Sequence, residues 1–166
     1  MSDEPITVFV VDDDKMFLSS LRHKLQEMFK SDIRVFSFTT GEDFLANARN
    51  KPDVVILDYH LDGEKPSAMN GLEVLKRIKA ISADTVVMML SMQDKLEVAA
   101  ESIKNGAYEY VVKSETALLR IENILKNVIE QIKSNAQNKS YELWNYILGA
   151  LIFLLILFDI IYYTTR

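Results

Sequence analysis

Five short apolar runs, each ending at a polar residue, constrain this chain more than any other feature. ITVFVV at 6–11 stops at Asp12, and a second short run occupies 32–38. DVVIL at 53–57 stops at Asp58, TVVMML at 85–90 at Ser91, and YEYVV at 108–112 at Lys113. A strand that faces water on one side alternates apolar and polar residues, whereas a strand buried on both faces reads as a continuous apolar run. The segments between the runs carry helical spacing instead. Residues 15–30 place Phe17, Leu18, Leu21, Leu25, Met28 and Phe29 on one face. Residues 40–43 open a helix with Phe44, Leu45 and Ala48 inward, and 71–79 turn Leu72, Leu75 and Ile78 inward. Residues 95–105 form a helix that closes on Gly106, and a last one starts at 116 and runs to about 133. Doubly buried strands alternating with helices predict an α/β fold, a parallel sheet covered on both faces.

In open sheets of this class, ligands sit beyond the C-terminal ends of the strands. That edge would receive Asp12, Asp13, Asp58, Ser91 and Lys113. Clustered carboxylates repel one another unless a hard cation lies between them, and Mg²⁺ takes oxygen ligands and keeps several waters. The chain has no Cys, and His60 is the one imidazole near this edge, so a zinc site is not expected. An Asp carboxylate can act as a nucleophile towards phosphorus. A Lys and a hydroxyl beside it supply the charge and hydrogen bonds that phosphoryl transfer requires. Taken singly, an acid after a strand is usually a loop or cap residue, a Lys is solvated, and Ser91 could cap the helix at 95–105. Their joint occurrence at one edge favours an acidic metal and phosphate site. Nucleic acid is not an expected partner: the net charge is -5, and the basic residues are mixed with acids. The N-terminal MSDEP is acidic and does not read as a secretory signal.

The motifs VFVVDDD at 8–14, VVILDYHLDG at 54–63, VVMMLS at 86–91 and NGAYEYVVK at 105–113 occur in the order found in two-component response regulators. From about residue 7 to residue 132 the chain resembles the receiver domain of that family, and it is similar to the chemotaxis-type single-domain receivers. The resemblance implies a flavodoxin-like (βα)5 fold with strand order 2-1-3-4-5. It implies that Asp58 accepts a phosphoryl group from a histidine kinase or a histidine phosphotransfer protein. Asp12, Asp13, Asp58 and the backbone carbonyl of His60 would hold Mg²⁺, with Asp13 as direct ligand and Asp12 acting through water. Lys113 and Ser91 would meet the phosphoryl group, and Tyr110 would be the aromatic that moves with the switch. The face formed by the fourth helix, fifth strand and fifth helix would serve output and homodimerisation. A receiver takes part in its own phosphorylation but is not a conventional enzyme.

Three features depart from the family pattern. Ser114 follows Lys113 where a proline, often in a cis peptide, is usual. The loop after Asp58 is longer than usual, with a polar insert EKPSA that either shapes partner choice or merely lengthens the loop. Met92 follows Ser91 where a small residue is common, which would narrow the approach to the phosphate. A receiver-fold scaffold without phosphorylation and a small Mg²⁺-dependent phosphatase using Asp58 are the competing readings.

The C-terminal segment has another character. Leu118, Ile121, Leu125, Val128 and Ile132 recur at spacings of three and four, first to cover the sheet and then as a short coiled-coil strip. The expected organisation is a receiver at 1–133, a polar linker or helical neck at 134–142, and a membrane span at 143–163. LWNYILGALIFLLILFDIIYY is 21 residues long, roughly 30 Å as a helix, which matches one hydrocarbon core. Trp144 and Tyr146 at one end and Tyr162 and Tyr163 at the other fit interfacial belts. Asp159 is the single acid in the span, placed near one end. Lys133 and Lys139 precede the span and Arg166 follows it, a bias that puts the receiver in the cytoplasm and the anchor in the inner membrane. A buried helix in an oligomer, or a tail cut from a larger chain, is the alternative.

Overall fold

The computed structural model describes residues 4–47, 51–61 and 69–164. The elements run β1 (Ile6–Val11), α1 (Lys15–Phe29), a 3-10 turn (Lys30–Asp32), β2 (Ile33–Phe38), α2 (Gly41–Asn47), β3 (Val54–Asp58), α3 (Gly71–Ile81), β4 (Val86–Ser91), α4 (Leu96–Lys104), β5 (Glu109–Val112) and α5 (Ala117–Thr164). All strands are parallel, in the order β2-β1-β3-β4-β5. This is the expected α/β receiver topology. The chain divides into two compact units, Met1–Ile124 and Leu125–Arg166.

In the first unit, Phe9, Val11, Val55, Leu57, Val87, Met89 and Tyr110 point to one face of the sheet. There they join Phe44 of α2 and Val74, Leu75 and Ile78 of α3 in a single buried cluster, with Val98 and Ala99 of α4 packed against it. Because side chains alternate along a strand, Val8, Val10, Ile56, Met88, Leu90 and Val111 point the other way, and they are as deeply buried. The continuous apolar runs have this cause. α1 buries Leu18, Leu21 and Leu25 on a single stripe. Its N-cap is Asp14, whose side chain accepts from Met16 and Phe17, and Asn70 caps α3 in the same way.

Several boundaries differ from the periodicity reading. Asp32 belongs to the 3-10 turn, so β2 begins at Ile33, and β5 begins at Glu109. The fifth helix does not end near residue 133. It continues without a break to Thr164, because residues 134–142 contain no Gly or Pro to stop it. Burial along α5 ends at Ile129, and the large apolar side chains from Tyr141 to Tyr162 are exposed. The peptide joining Lys113 to Ser114 is trans. Ala48, the EKPSA insert and Arg166 lie outside the described residues, as do the side chains of Lys139, Asp159 and Tyr163.

Candidate functional site

Strand register brings the polar residues together. Val11 pairs with Leu57, so Asp12 and Asp58 leave neighbouring strands at the same level. Asp58 pairs with Leu90 and Ser91 with Val112, which carries Ser91 and then Lys113 to the same edge. A close approach fixes the chain behind Asp58. The Gly71 N–H donates to the Tyr59 carbonyl at 2.9 Å, and a Cβ on Gly71 would lie 2.1 Å from the Asp58 carbonyl oxygen. Only glycine can start α3 there.

Asp12, Asp13 and Asp58 each present a carboxylate oxygen, and these oxygens lie within 4.8 Å of one another. Asp12 and Asp58 are buried while Asp13 is exposed. The Lys113 ammonium donates to Asp12 Oδ2 at 2.7 Å and to Asp58 Oδ2 at 3.0 Å. Asp12 Oδ2 has no other partner, and Asp58 Oδ1 is buried with none. Burial pushes the Asp12 carboxyl up to about 6, against the lowering effect of Lys113. Burial raises Asp58 as well, again opposed by Lys113. Burial acts to lower Lys113, but the hydrogen bond to Asp12 and the charge of Asp58 outweigh it, so the ammonium is held above its ordinary value. A sheet edge with more carboxylate than cation, and a buried carboxylate oxygen without a hydrogen-bond partner, fits an oxygen-seeking divalent ion.

The other expected residues surround this pair. Ser91 is buried, and its hydroxyl accepts from the Gln93 N–H at 3.0 Å. Tyr110 is turned inward, and its hydroxyl donates to the Gln93 carbonyl at 2.7 Å. Gln93 therefore links the hydroxyl to the aromatic, a connection invisible in the sequence. His60 is half-buried with its ring edge-on to Tyr59, and its Nε2 is buried without a partner. Met92 is 71% exposed, so its side chain stands out in solvent. Two further residues escaped the sequence reading. The Asp14 N–H donates to Asp12 Oδ1 at 3.0 Å, and the Phe17 ring lies 4.7 Å from the Lys113 ammonium. An N-cap signal at Asp14 was available in its position before an apolar-periodic segment. Nothing in the spacing marks Phe17 as more than core.

Residues 8–126 match the family model described as the response regulator receiver domain. The chain is 30% identical over 144 residues to the "Probable transcriptional regulatory protein TcrX" of Mycobacterium tuberculosis, covering 81% of this chain and 56% of that one. It thus spans about half the length of that relative, and 24% of the regulator ZraR of Klebsiella oxytoca. Among solved structures it is similar to the BeF3-activated DrrB receiver domain, with 34% identity, a TM-score of 0.60, and coverage of 74% of this chain and 98% of that one. DrrB as a longer chain, a Thermotoga maritima OmpR/PhoB homologue, gives 33% identity, a TM-score of 0.61, and coverage of 74% and 54%. The strand order, the acidic edge and these similarities agree, and the chain belongs to the response regulator receiver family.

Proposed function

We propose that this protein is a phosphorelay receiver that accepts a phosphoryl group on Asp58 at a membrane surface. The observation that carries the reading is the buried Asp58 carboxylate, held by Lys113 on one oxygen and unpartnered on the other. The free oxygen is the natural nucleophile. It forms a bond to phosphorus as the donor's P–N bond breaks, and the electron pair leaves with the imidazole nitrogen of a histidine kinase or histidine phosphotransfer protein. Lys113 stays bonded to the acceptor side and offsets the added charge. Ser91 exchanges its bond from Gln93 for one to a phosphoryl oxygen, and Tyr110, tied to the same Gln93, moves with it. Asp12, Asp13, Asp58 and the His60 carbonyl would hold Mg²⁺, which supplies charge neutralisation to the transferring group when bound. As a receiver, the protein is not a conventional enzyme.

The switched surface would be α4, β5 and α5, where Leu96, Ile103 and Leu119 are exposed, as is Tyr108 just before β5, and it is available for homodimerisation or output. Residues 1–133 would form the receiver, 134–142 a neck, and 143–163 a single-pass anchor in the inner membrane with the receiver in the cytoplasm. The anchor reading is supported by a helix long and apolar enough to cross a bilayer, none of whose apolar window is buried in the molecule. Tethering would raise the effective concentration of the receiver near membrane-bound kinases.

Intact-mass spectrometry with a small phosphodonor and Mg²⁺ tests the chemistry. The wild type should gain one acid-labile phosphoryl group and Asp58→Asn none. A wild type that gains nothing would leave a receiver-fold scaffold as the better account.

A further inference from the structure

We infer that Phe17 is a positioning residue for phosphoryl transfer, holding the Lys113 ammonium against Asp58 through its aromatic ring. The inference rests on the phosphoacceptor reading and adds a residue to it. The geometry is a closed circuit within the first compact unit. Asp12 Oδ1 accepts from the Asp14 N–H at 3.0 Å, and Asp14 Oδ1 accepts from the Phe17 N–H at 3.1 Å. The Phe17 ring centroid lies 4.7 Å from Lys113 Nζ, and that ammonium returns to Asp12 Oδ2 at 2.7 Å. Asp14 therefore does two jobs. It caps α1, and by fixing the first turn it sets the ring of Phe17 over Lys113.

A lysine ammonium is a compact charge on a four-carbon stem with three rotatable donors. Asp12 and Asp58 take donors on one side, and the lysine side chain is only 10% exposed. The ring covers part of the remainder. A cation is attracted to the face of an aromatic ring, and more strongly when water is excluded. A branched aliphatic side chain would fill similar space but would not attract the charge. This matters when Asp58 gains a phosphoryl group, because Lys113 must then leave Asp12 and follow the new oxygens. The ring keeps the ammonium beside Asp58 during that exchange, while its bond to Asp12 is given up.

The test uses the full chain in detergent micelles, with lysine labelled at Cε, comparing wild type, Phe17→Leu and Phe17→Tyr. Lys113→Arg assigns the Lys113 signal. Ring currents should shift the Lys113 ε-methylene protons upfield in the wild type and in Phe17→Tyr, and the shift should vanish in Phe17→Leu. Phosphorylation by a small phosphodonor with Mg²⁺ should slow about tenfold in Phe17→Leu and stay within about twofold in Phe17→Tyr. Thermal melts of the three chains separate a loss of fold from a loss of positioning. An unshifted Lys113 signal in the wild type, or equal phosphorylation rates in a folded Phe17→Leu, would overturn the inference. A wild type that takes up no phosphoryl group would overturn the phosphoacceptor reading itself, while the Lys113 signal would still decide where the ring holds the ammonium.

Discussion

The inner strands of the sheet and the distal part of α5 are both apolar runs, yet one set is buried and the other exposed. Val8, Val54, Ile56, Met88 and Leu90 are wholly buried, while Leu148, Leu151, Leu154 and Leu155 are more than half exposed. The difference lies in length and interruption. Each strand run is six residues or fewer and stops at a polar side chain, so helices packed on the two faces of the sheet can cover it. The distal run is apolar around the whole helix, and a helix of that kind is covered either by lipid or by other protein. Apolar composition does not tell where a segment resides; its period and its stopping points do.

The largest expected effect follows from that difference and is close to all-or-none. The full chain should stay with membranes through carbonate and high-salt washing, and a chain truncated after Lys139 should be soluble. Release of the full chain by either wash would break the comparison, since the distal helix would then have found a protein partner in place of lipid.

Single leucines sharpen the same contrast. Leu90 is wholly buried and Leu155 is 66% exposed. Leu90→Ala removes packed atoms from a filled core and should lower receiver stability by about 2–5 kcal/mol. Leu155→Ala should change the receiver's unfolding by less than about 0.5 kcal/mol. Denaturant melts followed by Trp-independent far-UV signals would read both. Equal losses would mean that Leu155 is packed in a way the monomer does not display.

Much of this was legible in the sequence, for identifiable reasons. Continuous burial of the strands leaves a direct trace in residue type, which gave the α/β class and the parallel sheet. The polar stops at Asp12, Asp58, Ser91 and Lys113 are strand ends, so any correct strand reading delivers them to one edge. What escaped depends on angles and on backbone atoms. The Ser91–Gln93–Tyr110 link runs through the main chain of Gln93, whose side chain says nothing about it. Phe17 carries the same apolar signal as its neighbour Leu18, although one ring stacks on a charge and the other side chain fills the core. The continuation of α5 past residue 133 was obscured because polar residues read equally well as linker or as solvated helix.

The receiver also buries charge, which no described side chain of the distal helix does, and pH should reveal it. Burial lifts the folded Asp12 carboxyl from 3.8 to about 6. A carboxyl raised in the folded state binds its proton more tightly there than in the unfolded chain. Its contribution is therefore most favourable below about pH 4 and is lost as pH rises through about 6, a loss on the order of 3 kcal/mol for this shift. Asp58 is raised too and acts in the same direction. Without Mg²⁺, Asp12→Asn should melt higher than the wild type at neutral pH, with the gap shrinking towards pH 4. Mg²⁺ should narrow the neutral-pH gap by stabilising only the chain that keeps the full carboxylate set. A gap independent of pH would remove Asp12 from this account.

The smallest expected effect compares two glycines. Gly106 follows α4 with φ of +96, a conformation that side-chain-bearing residues rarely adopt, and an added Cβ would press on the Lys79 methylenes at 3.2 Å. Lys79 has little room to give, because its ammonium donates to the Ala83 and Thr85 carbonyls at 3.1 and 2.6 Å. Gly106→Ala should therefore cost about 1 kcal/mol, read as a fall of several degrees in receiver melting temperature. Gly149 lies inside α5, and an added Cβ there meets nothing within 4 Å. Alanine is the better helix former, so Gly149→Ala should favour the helix by up to about 1 kcal/mol and leave the receiver's melting temperature unchanged. The two substitutions are chemically identical and opposite in expected sign, because one glycine is required by backbone conformation and the other is not. A lower melting temperature in Gly149→Ala would show that this face of the helix is closely covered by protein. That result would count against lipid as the neighbour of the distal segment, and it would do so without altering the receiver.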